Sequence, residues 1–169
     1  MTSEIRAATL QPTFEFEPHN CFACGELNEH GLRLQLHLEE RRSWTEFTLV
    51  DRFEGWRGVT HGGIIATILD EVMAWALVAE DNWGVTARMS IEFKRSVPIG
   101  TAVRAAGWIV RSRRRLVDTA GEVVDSDGTV LASAEAVYVA AGAERKRELM
   151  ERYGVRIRNA RATGEGISK

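Results

Sequence analysis

The stretch 58–80, GVTHGGIIATILDEVMAWALVAE, decides the fold. From Ile64 to Ala79 almost every side chain is apolar, which predicts one helix over about 62–80 with apolar residues on every face, as in a buried helix. Asp70 and Glu71 interrupt it. A carboxylate in apolar surroundings is costly unless something pairs with it, so an acid retained there points to a site. Just upstream, His61-Gly62-Gly63 opens the helix with residues that leave the backbone accessible.

Outward from this helix the chain reads as strands. GLRLQLHLEE (31–40) alternates, with Leu32, Leu34, Leu36 and Leu38 on one face and Arg33, Gln35, His37 and Glu39 on the other, the pattern of a half-buried strand. SWTEFTLV (43–50) follows as its antiparallel partner across a turn at Glu40 to Arg42, and DRFEGWRGVT leads irregularly into the helix. After a break at Asn82 to Gly84, VTARMSIEFKRSVP is a strand presenting Val85, Ala87, Met89, Ile91 and Phe93 on one face. TAVRAAGWIVRS is the next strand, Arg113 to Arg115 a turn, and residues 116–140 a hairpin about Asp127-Gly128, a dipeptide suited to a two-residue reversal. The order β-β-α-β-β-β gives an α+β fold, an antiparallel sheet wrapped around one long buried helix. This core domain spans 20–142, behind an N-terminal extension (1–19). A short charged helix at 144–153, with Leu149, Met150 and Tyr153 as its apolar stripe, precedes a tail expected to be disordered; together they form the segment 143–169.

The chain has 169 residues, enough for one domain with a core of its own. With 22 basic and 24 acidic residues, net charge −2, no overall field favours nucleic acid. The longest uninterrupted apolar run, Val72 to Ala79, is too short for a membrane span, and the N-terminus lacks the apolar core of a signal peptide, so the expectation is a cytoplasmic protein. The two cysteines, Cys21 and Cys24, have the spacing of half a zinc site or of a redox pair. No second CxxC or paired-histidine motif supplies further ligands, although His19 and His30 lie nearby. The plainer reading, a tight turn with two small reduced side chains, is adopted, with no metal and no bound cofactor.

GVTHGGIIATILDEVMAWA followed by VTARMSIEFKRSVPIGT resembles the hotdog-fold thioesterases of the phenylacetate-pathway type, and most closely the carboxyl-terminal-modulator-like branch of acyl-CoA thioesterases. The segment NCFACGELNEHGLRL resembles the CFxCGxxNPxGL segment of many relatives, with Glu29 where proline is usual, and the likeness covers about residues 20–140. It implies a backbone N–H at Gly62 that polarises the thioester carbonyl, Asp70 as nucleophile or general base, and Thr86 as a further catalytic group. Many relatives carry Asn or Gln six residues before the histidine; Gly55 stands there in this chain.

The residues suit those roles chemically. The Gly62 N–H belongs to the unpaired first turn, where the helix dipole favours developing negative charge. An apolar setting makes the Asp70 carboxylate a stronger base, and Thr86 could orient it. The plainer alternatives are that Gly62-Gly63 lets helix and sheet pack closely and that Asp70 is satisfied by backbone donors. Glu71 points some 100° away round the helix and is the competing acid. His61 and Gly63 are assigned to substrate binding, with His61 also expected to hold the glycine loop. Thr67 bonds back to its own helix. Lys94 and Arg95 are candidates for coenzyme A phosphates; Arg111 and Arg113 to Arg115 are more simply an exposed turn. Trp56, Trp75, Trp83 and Trp108 could line an acyl pocket, with core packing the default.

Gly62 and Asp70 lie roughly 12 Å apart along the helix axis, whereas both must approach one carbonyl to about 3 Å. One helix cannot do this, so the expected active unit is a homodimer, or a dimer of dimers, acting on acyl-CoA. A non-catalytic acyl-CoA-binding regulator on the same fold is the alternative. A hydratase of this fold is disfavoured because its acid is followed five residues later by histidine, where Trp75 stands here.

Overall fold

The computed structural model describes residues 13–158. In chain order these form β1 (Thr13–Glu15), β2 (His37–Glu39), β3 (Arg42–Thr48), α1 (Gly62–Ala79), β4 (Gly84–Phe93), β5 (Ala102–Arg113), β6 (Leu116–Val124), β7 (Val130–Ala140), α2 (Ala143–Arg152) and β8 (Arg156–Arg158). Six strands make one antiparallel sheet in the order β2-β3-β5-β6-β7-β4, and α1 packs across it. Four strands of this sheet follow α1, one more than expected, because the 116–140 hairpin supplies two.

α1 turns Ile65, Ile68, Leu69, Val72, Met73, Ala76 and Leu77 into the sheet, the three-and-four spacing of a helix with one apolar face. Ile68, Leu69, Val72 and Met73 have no exposed surface, each worth roughly 1.5–3 kcal/mol of burial. By length and composition alone Gly62–Ala79 would suffice to cross a membrane. Its packing against the sheet accounts for that apolarity. Asp70 and Glu71 lie off the sheet-facing stripe and are half-buried, so the helix is not enclosed on all sides.

Three strand expectations change. The leucines of 31–40 do point inward, but only His37–Glu39 pairs as a strand. Arg33 takes a left-handed φ of 52°, and the N–H groups of Leu32 and Leu34 donate to the carbonyls of Phe22 and Ala23 in the cysteine loop. In β4 the expected apolar face is broken by a bulge between Thr86 and Arg88, and Val85 and Phe93 are 68% and 56% exposed. β4 is an edge strand, with no neighbour on its outer side in the sheet. The reversal at Asp127-Gly128 is a longer loop, in which the Asp125 carboxylate accepts the N–H groups of Asp127 and Thr129.

The charged helix is present as α2, with Leu149, Met150 and Tyr153 half-buried. β1 pairs antiparallel with β8, bringing the two flanking segments together, and the Phe16 ring packs edge-on to Trp75 at 4.8 Å. The tail expected to be disordered lies outside the described residues.

Candidate active site

The N-terminal end of α1 is held open by its cap. His61 is extended (φ −61°, ψ 132°), and its Nδ1 accepts the Gly63 N–H at 2.9 Å. That uses the Gly63 donor and gives His61 the loop-holding role. The neighbouring Gly62 N–H has no acceptor among the described residues. Close packing does not explain this glycine, since a Cβ at Gly62 would meet only the Phe93 ring, at an ordinary 3.6 Å. Gly55, by contrast, is sterically required: a Cβ there would stand 2.9 Å from His61 Cα. The Asn or Gln of many relatives therefore has no room without a backbone shift.

Gly62 lines a cleft of about 310 Å³ with Thr60, Ile65, Phe93, Lys94 and Arg95. The Lys94 and Arg95 N–H groups both donate to the Leu131 carbonyl, fixing the chain just beyond β4 at the cleft wall. Lys94 Nζ pairs with Glu92 at 2.8 Å; no such pairing engages Arg95 among the described residues. The basic turn is different. Arg111 and Arg113 lie 2.9 and 3.5 Å from the Asp118 carboxylate, which the Arg111 hydrogen bond holds below the usual range.

Asp70 sits two turns further along α1. The Thr86 hydroxyl donates to its Oδ1 at 2.7 Å, and the Tyr138 hydroxyl lies 2.7 Å from the same oxygen and 2.8 Å from the Asp70 carbonyl. One phenolic proton can serve only one of those acceptors at a time. Burial, then the Asp70 charge, pushes the Tyr138 phenol well above its ordinary range, so it remains a proton donor. Asp70 Oδ2 has no hydrogen bond among the described residues. The bulge beside Thr86 aims its hydroxyl at the acid, and Tyr138 is its cross-strand partner on β7.

Glu71 goes elsewhere. Its carboxylate accepts the Trp75 indole N–H at 2.8 Å and meets Cys24, and burial pushes it up to about 7. Sequence reasoning missed Tyr138. Its only signal was a polar-tipped ring on the inward side of the strand AEAVYVA, and nothing linked it to Asp70 before the strand register was known. Among the tryptophans Trp83 is buried and Trp75 and Trp108 half-buried, but Trp56 is 88% exposed, so core packing fails there.

Within one chain, then, the site residues fall into two groups. Gly62, Lys94 and Arg95 share a cleft, while Asp70, Thr86 and Tyr138 form a hydrogen-bonded cluster outside its lining.

Residues 57–132 match the thioesterase superfamily. Over 92 residues the chain is 29% identical to the acyl-coenzyme A thioesterase THEM4 of Xenopus laevis, covering 54% of this chain and 41% of that protein. The chain thus spans about two fifths of that relative's length. Among solved structures, the thioesterase superfamily protein RHA08564 is 26% identical with a TM-score of 0.68, covering 71% of this chain and 60% of the other. The smu.793 protein of Streptococcus mutans UA159, solved bound to acetyl CoA, is 21% identical with a TM-score of 0.63, covering 70% and 98%. These likenesses identify the sheet and helix as a hotdog fold.

Proposed function

With residues 57–132 a thioesterase-superfamily segment on a hotdog fold, we propose that this chain hydrolyses acyl-CoA thioesters at a site shared between two copies. The observation that carries the reading is the pairing of an unused N–H at the start of α1 with a buttressed carboxylate two turns along it.

The thioester carbonyl oxygen accepts the Gly62 N–H, where the helix dipole stabilises the negative charge that builds on it. Asp70 of the partner subunit takes a proton from water as it attacks the carbonyl carbon, or attacks directly to give an anhydride that water then opens. Either route yields a carboxylic acid and free CoA. Thr86 and Tyr138 fix one carboxylate oxygen and leave Oδ2 for the reaction. Arg95 and Lys94 meet the phosphates of coenzyme A on this reading, which their position in the lining of the Gly62 cleft supports.

A homodimer follows from the roughly 12 Å between Gly62 and Asp70 along one helix. The exposed Val85 and Phe93 on edge strand β4 support that assembly, since they offer a second copy an apolar margin and an open strand edge. Free Cys21 and Cys24 suit a reducing compartment, the cytoplasm.

Release of CoA from acyl-CoA esters of graded chain length, aryl esters included, tests the reading. Turnover that is lost in Asp70→Asn supports it. Binding of acyl-CoA without turnover would instead make this chain a regulator. Retained turnover in Asp70→Asn with loss in Glu71→Gln would transfer the role to the other acid.

A further inference from the structure

We propose that Cys21, Cys24 and Glu71 form a binding site for a thiophilic divalent cation, zinc above others, between the cysteine turn and α1. The two thiols and a Glu71 carboxylate oxygen all lie within 4.8 Å of one another. Tetrahedral zinc with bonds of about 2.1–2.3 Å sets such atoms roughly 3.7 Å apart, so closing the cluster asks for movements of ~1 Å.

The three ligands come from two separated parts of the chain. Cys21 and Cys24 belong to a turn closed by the Gly25 N–H donating to the Cys21 carbonyl at 2.9 Å. A Cβ at Gly25 would fall 2.4 Å from both Cys21 N and the His19 carbonyl, so the tight return that brings the thiols together requires glycine. Glu71 arrives from α1. The Trp75 indole N–H holds one of its oxygens at 2.8 Å, the outer-sphere support that orients a ligating carboxylate. Among the described residues no lysine or arginine pairs with Glu71, and all three ligands are half-buried, partly shielded yet reachable. An unpaired, partly buried carboxylate facing two thiols meets the electrostatic demand of a cation better than that of any other small ligand.

Neither nearby histidine completes the set. His19 Nδ1 already accepts the Cys21 N–H at 3.3 Å, and among the described residues neither His19 nor His30 joins the group of ligand atoms within 4.8 Å of one another. A fourth ligand would come from solvent. The cation would tie the cysteine loop to α1 one residue beyond Asp70.

The test uses the full chain, fully reduced and stripped with a chelator, titrated anaerobically with Co²⁺ as the spectroscopic probe. One equivalent should produce thiolate-to-cobalt charge-transfer absorption with tetrahedral d–d bands, bleached by Zn²⁺. Zn²⁺ should raise the Tm of the wild-type chain. Cys21→Ser and Cys24→Ser should lose the charge-transfer band in proportion to the thiols removed, and Glu71→Gln should weaken Co²⁺ at least about 10-fold. A folded, reduced wild-type chain that gives no such band overturns the proposal, whatever the variants do. So does Glu71→Gln with unchanged affinity, or a wild-type chain that holds Cys21 and Cys24 as a disulfide when zinc is supplied.

Discussion

The first turn of α1 and its third turn offer opposite kinds of chemistry. At Gly62 the group on offer is backbone: an N–H with no acceptor among the described residues, in a glycine that its surroundings would allow to be larger. At Asp70 it is a side chain, fixed by two hydroxyls from two neighbouring strands. The first region is open and lined by cations, and the second is braced and half-buried. An oxyanion needs a donor it can approach without displacing another acceptor, whereas a base or nucleophile needs a fixed direction. On the proposed mechanism, one helix carries both halves of the reaction without bringing them together in one chain.

Gly62→Pro separates the halves most sharply. Gly62 is the first helical residue, where proline fits, and His61 already has the extended conformation that precedes proline. The substitution should remove one N–H and little else, lowering kcat about 10²–10³-fold with the circular dichroism spectrum unchanged. Gly62→Ala keeps the donor and has space beside Phe93. An equal loss in both variants would show that the N–H is not the active feature.

Asp70→Asn should lower kcat by at least about 10²-fold while the chain stays folded, measured as CoA release at saturating substrate. Its two supports should matter less. Tyr138→Phe and Thr86→Ala each remove one hydroxyl near Oδ1, and each should lower kcat roughly 10-fold with little change in KM, the size of one charge-assisted hydrogen bond. If either variant raises KM alone, that hydroxyl contacts substrate rather than the acid.

The smallest effect belongs to the cleft cations. Arg95→Ala should raise KM for acyl-CoA a few-fold, by the loss of one partly exposed phosphate contact, and leave kcat unchanged. A truncated thioester lacking the nucleotide should show no such change. An equal effect on both substrates would remove Arg95 from phosphate recognition.

Much of this arrangement was legible in the sequence because it depends on spacing along one helix. His61, Gly62 and Asp70 have fixed separations there, and the apolar run between them identifies the buried face. Lys94 and Arg95 stood out as adjacent cations at a strand end, but that they share a cleft with Gly62 needed the fold. What needed the three-dimensional fold was pairing across strands. Tyr138 reaches Asp70 through the β4–β7 register and a bulge beside Thr86, and neither is written in local periodicity. The same holds for Glu71 and the cysteine turn, which are far apart in the chain and meet only when the loop folds onto α1. The leucine alternation at 31–40 misled about strand length for a related reason. Alternating burial records which side faces the core, while Arg33 and the cysteine loop decide where the hydrogen bonds go.

Subunit complementation tests the shared site most directly. Gly62→Pro and Asp70→Asn chains, each nearly inactive as a homodimer, are mixed in equal amounts under conditions of subunit exchange, and mass spectrometry verifies the heterodimer. Random pairing makes about half of the dimers mixed, each with one intact site built from Gly62 of one chain and Asp70 of the other. The account predicts recovery of roughly a quarter of wild-type activity. Verified, folded heterodimers that recover none would contradict it.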